Sequence, residues 1–384
     1  MAKLGEVFTI ASGGTPDKKK PFYYENGTIP WVKTGDLKNQ YVPAGIECIT
    51  EEGLNNSSAK LFPPNTVLVA MYGATIGACS ILSYEAATNQ ACAAFLPNEN
   101  VLPTYLYFFL SSKREQFVKD GVGGAQPNIS AGYLKNVQFG LIPMQQQIDI
   151  VEKLDKVENL IALRKEQLAK LDQLVKSRFI ELFGDCLTNP KGWKTKYLED
   201  IAEVGSSKRV FVEELQEDGI PFYRGTEVGA LAEGKQITPE LFITEQHYAE
   251  LCKATGAPRI GDLLMPSICP DGRIWVVDTD EPFYFKDGRV LWVHAIDASY
   301  NPVFLLYTLK DRIMTDYSSI ASGTTFAELK IFALKKCRVF DVPIALQNQF
   351  AAFVEQTDKS KSAVQKGLEE LELLKKALMQ KYFG

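Results

Sequence analysis

The chain has 384 residues, of which 46% are hydrophobic and 23% charged, and its formal net charge at pH 7 is −5. This length is comfortable for two domains, and the composition is typical of a folded protein rather than a disordered one. The acidic balance argues mildly against a stand-alone nucleic-acid binder, because such proteins usually carry an excess of lysine and arginine.

The first 144 residues alternate short apolar runs with glycine, proline and asparagine. The segments TVLVAMYG (66–73) and ACAAFLP (91–97) are typical of strands. The segment PTYLYFFLSSKREQFVKDG (103–121) predicts one amphipathic helix, since Pro103 suits a helix start and Gly121 a helix end.

The composition changes after Pro143, since no glycine or proline occurs from Gln147 to Phe183. A heptad register that begins at Gln147 gives an apolar seam, as a coiled-coil helix requires. A helix of this length is roughly 55 Å long and needs a partner helix along its apolar stripe. The predicted seam residues are Leu154, Ile161, Leu168, Leu171 and Val175.

A second segment of the same kind begins near Gln347, and we predict that it is the antiparallel partner of the first. Polar residues at Thr357, Lys361 and Lys375 interrupt its seam, and Gly367 weakens the middle. Its predicted seam residues are Val354, Val364, Leu368, Leu371 and Leu378.

The two halves of the chain repeat each other. Residues around Leu171, Phe183 and Gly184 recur 200 positions later, as do Pro143 and Gln147. Upstream, IPWVKTGDL (29–37) is matched more loosely by IPFYRGTEV (220–228), and the second half again contains strand-like runs followed by a helix, NPVFLLYTLKDRIMTDY (301–317). We therefore predict an α+β protein with a pseudo-two-fold internal repeat, in which two similar α/β domains are separated by two long antiparallel coiled-coil helices. The predicted bounds are domain 1–144, helix 145–184, linker 185–195, domain 196–342 and helix 343–384.

Seven cysteines lie singly along the chain, without a CxxC pair. A dispersed, odd-numbered set is typical of reduced cytoplasmic thiols rather than a disulfide framework or a zinc site. The N-terminus lacks the basic and apolar segments of a signal peptide, and the longest apolar run is too short to span a bilayer. We expect a cytoplasmic protein with no membrane association and no bound metal.

The order of several motifs resembles the specificity (S) subunit of type I restriction-modification systems. The first half carries ASGGTP, IPWVKTGDL, GATIG and TNQACAAF in that order, and then GGAQPNIS, LIPMQQQIDIVEKL and a linker of the form FGD…NPKGW. The second half departs from the pattern, since CPDGRIW (269–275) and GTTFAELK (323–330) replace GATIG and GGAQPNIS. The resemblance extends over the whole chain.

The resemblance implies a recognition subunit without catalytic activity. Each globular unit would be a target recognition domain that reads one half of a bipartite, asymmetric site in double-stranded DNA. The helix pair would set the spacing of the two half-sites and hold two methyltransferase (M) subunits, and restriction/translocase (R) subunits would join that complex. S-adenosylmethionine, ATP and magnesium would bind to those partners, with no cofactor in this chain.

DNA reading needs hydrogen-bonding side chains on loops, next to cations that hold phosphates. Glycines near such loops allow a close approach of the backbone to phosphate. The candidates in the first domain are Ser12, Thr15, Lys18, Lys19, Lys20, Lys33, Thr34, Asp36, Tyr72, Thr75, Asn89 and Gln90. The candidates in the second domain are Ser206, Ser207, Lys208, Arg209, Arg224, Thr226, Glu227, Ser267, Arg273, Lys286 and Arg289.

Purely structural roles compete with several of these assignments. Asp36 suits a side-chain-capped turn, and Asn89 with Gln90 would equally brace a loop. Arg224 and Arg273 are the preferred base readers, because a bidentate arginine on guanine is the commonest specific contact. Leu160 and Leu174 lie outside the seam, where they would either face a methyltransferase or widen the helix pair. The alternative function is a two-headed coiled-coil scaffold that binds other ligands and has no nucleic-acid role.

Overall fold

The computed structural model describes residues 1–122, 128–323 and 327–384. Parts of the motifs GGAQPNIS and GTTFAELK therefore lie outside the described residues. The chain divides into two units, the first comprising Met1–Glu166 with Gln365–Gly384 and the second comprising Gln167–Val364. Each unit contains a stretch of both long helices, so the domain bounds from the sequence remain a prediction.

The first unit mixes short strands with short helices. Its strands are β1 (Ala2–Lys3), β2 (Ile10–Ser12), β3 (Ile29–Val32), β4 (Cys48–Ile49), β5 (Leu61–Phe62), β6 (Val67–Ala70), β7 (Cys79–Ile81), β8 (Ala86–Thr88), β9 (Cys92–Phe95) and β10 (Gln138–Phe139). Its α-helices are α1 (Leu4–Val7), α2 (Glu51–Asn55), α3 (Pro103–Ser112), α4 (Arg114–Asp120), α5 (Ala131–Asn136) and part of α6 (Met144–Phe183). One-turn 3-10 helices occupy Pro21–Tyr23, Thr34–Asp36 and Gly73–Thr75.

Strand β6 lies inside the antiparallel sheet β2-β9-β6-β7, and all of its residues are buried. Successive side chains of a strand point to opposite faces. Val67 and Val69 therefore enter a core shared with α3, whereas Leu68 and Ala70 enter a core shared with the second sheet, β4-β3-β8-β5. Burial on both faces explains why this part of the sequence is a continuous apolar run.

The second unit repeats these elements with different lengths. Its strands are β11 (Thr195–Tyr197), β12 (Glu203–Gly205), β13 (Ile220–Tyr223), β14 (Phe242–Ile243), β15 (Leu263–Pro266), β16 (Trp275–Val276), β17 (Tyr284–Phe285), β18 (Val290–His294), β19 (Ala321–Ser322), β20 (Glu328–Leu329) and β21 (Arg338–Phe340). Its α-helices are α7 (Gly225–Ala232), α8 (Glu245–Thr255), α9 (Pro302–Ile320), α10 (Ile331–Lys335) and part of α11 (Ile344–Phe383). One-turn 3-10 helices occupy Leu198–Asp200 and Val212–Glu214.

The sheet topology of the second unit matches that of the first. The order β12-β18-β15-β16 corresponds to β2-β9-β6-β7, and β14-β13-β17 corresponds to β4-β3-β8. The pair β13–β17 is parallel, as is β3–β8. The predicted internal repeat and the α+β class are confirmed, and the structural repeat is closer than the sequence repeat.

One predicted helix is divided. The segment 103–121 forms α3 and α4 rather than a single helix, because Lys113 leaves the helical conformation (φ −90°, ψ 2°). The Lys113 amine donates a 2.6 Å hydrogen bond to the carbonyl oxygen of Phe383, the last helical residue of α11. The division therefore places a cation at a helix C-terminus, where the helix dipole favours it.

The long helices pair antiparallel within each unit. In the first unit, Lys375 lies 2.7 Å from Glu158 and Lys165 lies 3.0 Å from Glu372. A rising residue number on one helix thus faces a falling number on the other.

The second unit shows the same antiparallel arrangement. Lys361 lies 2.6 Å from Asp172, and the rings of Phe350 and Phe179 are 5.4 Å apart. Lys361 and Lys375, which interrupt the predicted seam, therefore serve as ion-pair partners across the helices. The seam residues themselves are buried or half-buried: Leu154, Ile161, Leu168, Leu171, Val175, Val354, Val364, Leu368, Leu371 and Leu378.

A buried glutamine fastens the start of each long helix. Gln147 accepts a hydrogen bond from the Leu102 amide (2.9 Å) and donates to the carbonyl oxygens of Asn100 and Ile142 (2.8 and 2.9 Å). Gln347 repeats this arrangement in the second unit with the Asn301 amide (2.8 Å). The repeated Pro-Gln signal in the sequence therefore marks a structural anchor.

All seven cysteines are free thiols. Within the described ranges, no helix has the length and hydropathy that a membrane span requires.

Candidate nucleic-acid interface

In the first unit, the candidate residues gather around the turn that joins β8 to β9. The Gly14 amide bonds to the Thr88 carbonyl (2.9 Å), and the Asn89 amide bonds to the Val32 carbonyl (3.0 Å). On the other side, the Met71 amide bonds to the Ala91 carbonyl (2.8 Å). The ends of β2, β3 and β6 thus meet at one turn, which brings together loops that are far apart in sequence.

Two of the gathered loops are joined by side chains. The Thr15 hydroxyl donates to the Gln90 side-chain oxygen, and Gln90 is exposed. Tyr72, which follows Met71, is 45% exposed. Thr15, Gln90 and Tyr72 are thus partly exposed polar side chains on the loops that meet at this turn.

Other candidates in the first unit make bonds that shape the backbone. The Asp36 carboxylate accepts from the Lys33 amide (2.8 Å), and the Asn89 side chain accepts from the Ala91 amide (3.2 Å). The Thr75 hydroxyl donates to the Tyr72 carbonyl (3.1 Å). The Lys33 ammonium lies 2.5 Å from Glu47, and this hydrogen bond raises the pKa of Lys33. Ser12 and Thr34 are half-buried at the adjoining strand and loop.

The basic run that follows Thr15 is exposed. Among the described residues, no ion pair involves Lys18 or Lys19, whereas the Lys20 ammonium lies 3.2 Å from the Tyr23 hydroxyl. The glycines before this run do not offer open backbone to a phosphate. A Cβ at Gly13 would lie 1.9 Å from the Thr88 carbonyl oxygen, and one at Gly14 would lie 2.1 Å from the Ser58 hydroxyl. These glycines are needed for close packing, and the expected role in phosphate approach is wrong for them.

The second unit builds the corresponding surface around residues 286–289, the turn that joins β17 to β18. The Lys286 amide bonds to the Tyr223 carbonyl (2.9 Å), and the Ser267 amide bonds to the Arg289 carbonyl (2.8 Å). The Ser206 hydroxyl donates to the Val290 carbonyl (2.7 Å). Here too, three strand ends converge on one turn.

The serines at this surface are engaged with the backbone. The Ser207 hydroxyl donates to the Phe285 carbonyl (2.6 Å), and Ser206 also accepts from the Gly288 amide (2.9 Å). Ser267 is only 2% exposed, so its side chain does not reach the surface in this structure. The side chains of Ser206 and Ser207 help to position the turn, whereas a contact of the buried Ser267 side chain with DNA would require a rearrangement.

Arg224 is held by two carboxylates at the end of β13. Its Nη2 lies 2.6 Å from Glu227 and 3.0 Å from Glu240, and the Glu227 carboxylate also accepts from the Arg224 amide (2.8 Å) and the Thr226 hydroxyl (2.9 Å). Burial by itself would raise the pKa of Glu227, but the hydrogen bonds from Arg224 outweigh it and lower that pKa to about 2. The guanidinium is therefore oriented by a carboxylate that stays ionised.

The other arginines of this surface also face carboxylates. Arg273 lies 2.8 Å from Asp271, Arg209 lies 3.1 Å from Asp287, and Arg289 pairs with Glu328. Lys286 lies 3.3 Å from Asp287, whereas Lys208 is exposed. Apart from Lys208, the cationic candidates of the second unit are therefore paired with carboxylates.

The carboxylate partners were not predicted from the sequence. Glu47 is far along the chain from Lys33, Glu240 from Arg224, and Asp287 from Arg209, and nothing in the local sequence indicates these three pairings. Within the described residues, no cluster of three or more His, Cys, Asp or Glu side chains has metal-binding geometry.

Comparison with known proteins identifies both units. The model of the type I restriction modification DNA specificity domain matches residues 1–173 and again residues 190–373. The MjaIX specificity subunit of Methanocaldococcus jannaschii is 27% identical over 99% of this chain and 91% of its own length. The EcoR124I/EcoR124II specificity subunit of Escherichia coli is 30% identical over 48% of this chain and 46% of its own length.

Solved structures agree with this fold. The S subunit of a type I restriction-modification system from M. genitalium aligns over 100% of this chain and 95% of its own, with a TM-score of 0.56 and 16% identity. A chain from a study of type I complex assembly and conformational transition aligns over 100% and 96%, with a TM-score of 0.62 and 19% identity. With a domain match in each half, the chain belongs to the family of type I restriction-modification DNA specificity subunits, and its role is the recognition of DNA sequence.

Proposed function

We propose that each unit reads one half of a bipartite, asymmetric DNA target through the surface around its strand-joining turn. The observation that carries this proposal is the repeated construction itself. Both units bring the same strand ends to one turn, 88–92 in the first and 286–289 in the second. The side chains differ, since Thr15, Tyr72 and Gln90 stand in one unit and arginines with carboxylates in the other. Equivalent surfaces with different hydrogen-bonding groups suit two different half-sites.

The long helices are proposed to set the half-site spacing and to dock two methyltransferase subunits. Leu160 and Leu174 support the docking role, because they are 46% and 49% exposed outside the seam. Restriction/translocase subunits would join through that complex. This arrangement assigns protein partners to the helices and DNA to the globular surfaces.

In this proposal the chain itself is not catalytic and acts in the cytoplasm. S-adenosylmethionine, ATP and magnesium would bind to the partner subunits, which would carry out methylation and cleavage. The chain would contribute target choice alone. The alternative of a scaffold without a nucleic-acid role finds no support in the comparisons.

The test is reconstitution of this chain with its methyltransferase (M) subunit. We expect a complex of one recognition chain and two methyltransferases that methylates a split site with two unlike half-sites. Methylation of random duplexes followed by sequencing would reveal both half-sites and their spacing. A complex that methylates DNA without sequence preference would contradict the proposal.

The isolated chain is a poor substitute in this test. Phosphate contacts supply much of the affinity for DNA, and this chain has a net charge of −5. Much of the positive charge is therefore expected to come from the methyltransferases. Binding should be measured on the complex at a stated salt concentration.

A further inference from the structure

A short motif is repeated in the loop that follows the first strand of each main sheet. After β2 the chain reads Lys19-Lys20-Pro21-Phe22, and after β12 it reads Lys208-Arg209-Val210-Phe211. Two cations, one spacer and a phenylalanine thus recur in the same order. In both units the motif reaches a one-turn 3-10 helix before the next strand.

Both phenylalanine side chains are about half exposed. Phe22 is 48% exposed and Phe211 is 57% exposed. Burial of a phenylalanine ring stabilises a folded protein, so each unit leaves part of this stabilisation unused in the loop that carries the motif. An exposed aromatic at one position is ordinary, but its repetition beside the same cations indicates a shared use.

Hydrogen bonds hold the backbone at both phenylalanines. The Thr50 hydroxyl donates to the Phe22 carbonyl (3.1 Å), and the Phe211 amide donates to the Glu214 carboxylate (2.7 Å). The Lys286 ammonium also donates to the Val210 carbonyl (3.2 Å), which joins this loop to the turn 286–289. Each ring is therefore presented from an ordered backbone, which reduces the entropy that a contact with a partner would cost.

The surroundings indicate what kind of partner meets these rings. The loop that carries Phe22 begins with Thr15, which is bonded to Gln90 at the turn of the first unit. Lys19 precedes the ring and is exposed, and the Arg209 side chain remains 68% exposed even though it pairs with Asp287. A ring flanked by cations suits a nucleic acid, which offers phosphates beside apolar base faces and thymine methyl groups.

We propose that Phe22 and Phe211 each make the apolar contact of their own unit with DNA, by packing against a thymine methyl or the face of an unstacked base. This inference rests on the proposed function of the two units and adds a class of contact to it. Phe22 would contact the half-site that the first unit reads, and Phe211 would contact the half-site that the second unit reads. The flanking cations hold the adjacent phosphates.

The experiment measures binding of fluorescently labelled duplexes to the complex with methyltransferase, using Phe22→Ala and Phe211→Ala. Each variant should weaken binding to the full site about 30-fold, the middle of the range for loss of an aromatic–base contact. On a duplex with the first half-site scrambled, Phe22→Ala should have no further effect, whereas Phe211→Ala should keep its full effect. The salt dependence should be parallel to that of the wild type, because an apolar contact releases no counterions.

Duplexes with altered bases distinguish the two forms of contact. If the ring packs on a thymine methyl, replacing that thymine with uracil should weaken wild-type binding and leave Phe22→Ala unchanged. If the ring packs on an unstacked base, 2-aminopurine at that position should brighten on binding to the wild type alone. Either result supports the proposal, and absence of both overturns it.

Matched controls use exposed apolar residues elsewhere in each unit. Leu141 is 49% exposed between β10 and α6, and Ile260 is 65% exposed before the start of β15, at the end of that strand opposite Ser267. Leu141→Ala and Ile260→Ala should bind DNA as the wild type does. If the wild-type complex prefers its site but both phenylalanine variants bind within twofold of it, the inference is wrong and the proposed function stands.

Two further outcomes have distinct meanings. A wild-type complex without sequence preference would refute the proposed function, and with it the basis of this inference. Loss of methyltransferase from the complex in Phe22→Ala, with DNA affinity retained by the assembled fraction, would assign the ring to a protein partner and overturn the inference. Mass photometry of each variant separates assembly from DNA binding.

Discussion

Arg224, a predicted base reader of the second unit, is oriented by a neighbouring carboxylate. Glu227 bonds both the backbone and the guanidinium of Arg224, whereas Glu240 is 71% exposed and contacts it from one side. We expect Glu227→Gln to reduce discrimination at one base pair of the second half-site about tenfold, within the range for a lost bidentate contact. Glu240→Gln should change it less than twofold, because exposed ion pairs contribute little.

Competition binding against duplexes altered at single positions checks this prediction. Arg224→Ala should lose discrimination at the same base pair as Glu227→Gln. Unchanged discrimination in both variants would remove Arg224 from the interface.

The same carboxylate makes stability depend on pH in a defined direction. The pKa of Glu227 falls from an ordinary 4.5 to about 2 in the fold. A lowered folded-state pKa gives a stabilisation that is complete above the unfolded-state pKa and is lost as pH falls toward the folded one. The difference in Tm between the wild type and Glu227→Gln should be constant from pH 7 to about pH 5.5. It should shrink between pH 4.5 and pH 2, and a constant difference over that range would contradict the assignment.

At the scale of the element, Gln147 and Gln347 anchor the long helices to the globular parts. Gln147→Leu removes three part-buried hydrogen bonds, at a cost of about 0.5–1.5 kcal/mol for each bond. Hydrogen exchange should become faster in the first unit alone, and Gln347→Leu should have the same effect on the second unit. The exposed neighbour offers a control, Gln146→Leu, which should exchange as the wild type does. Equal effects in both units would show that the anchors do not act separately.

The ion pairs across the helices specify their antiparallel register. In Lys375→Glu, the new carboxylate faces that of Glu158 and the two repel each other. We expect the free energy of unfolding to fall by about 0.5–1 kcal/mol, because the pair is partly exposed, and the Tm to fall with it. The double variant Glu158→Lys/Lys375→Glu should recover most of the loss, because the partners exchange places. Lys376 is exposed and forms no ion pair with another described residue. Lys376→Glu is therefore the control and should leave the Tm nearly unchanged. Failure of the double variant to recover would argue against this pairing.

At the scale of the whole molecule, the spacer hypothesis makes a quantitative prediction. Seven residues inserted into both α6 and α11 keep the seam on one face and lengthen each helix by about 10.5 Å. The preferred spacer should then grow by about three base pairs, at about 3.4 Å each. Methylation of a library of spacer lengths measures the change. Seven glycine and serine residues inserted into the linker 185–195 are the control and should leave the spacer unchanged.

The sequence by itself determined the large features of this protein. It predicted the internal repeat, the two long helices, the strand β6 and the family. Heptads, apolar runs and ordered motifs are local or periodic signals, so the sequence alone contains them. The division of α3 from α4 was not predicted, and Lys113 at that break bonds to the end of α11, a contact far away in the sequence.

Only the tertiary structure decided which polar candidates are exposed and which are paired or buried. Ser267 and Arg224 look alike as loop residues in the sequence, yet one is buried and the other lies between two carboxylates. The turn that gathers each candidate surface joins strand ends from distant parts of the chain. Hydrogen bonds and ion pairs at such a surface depend on the packing of the sheets, and a local sequence pattern does not contain that information.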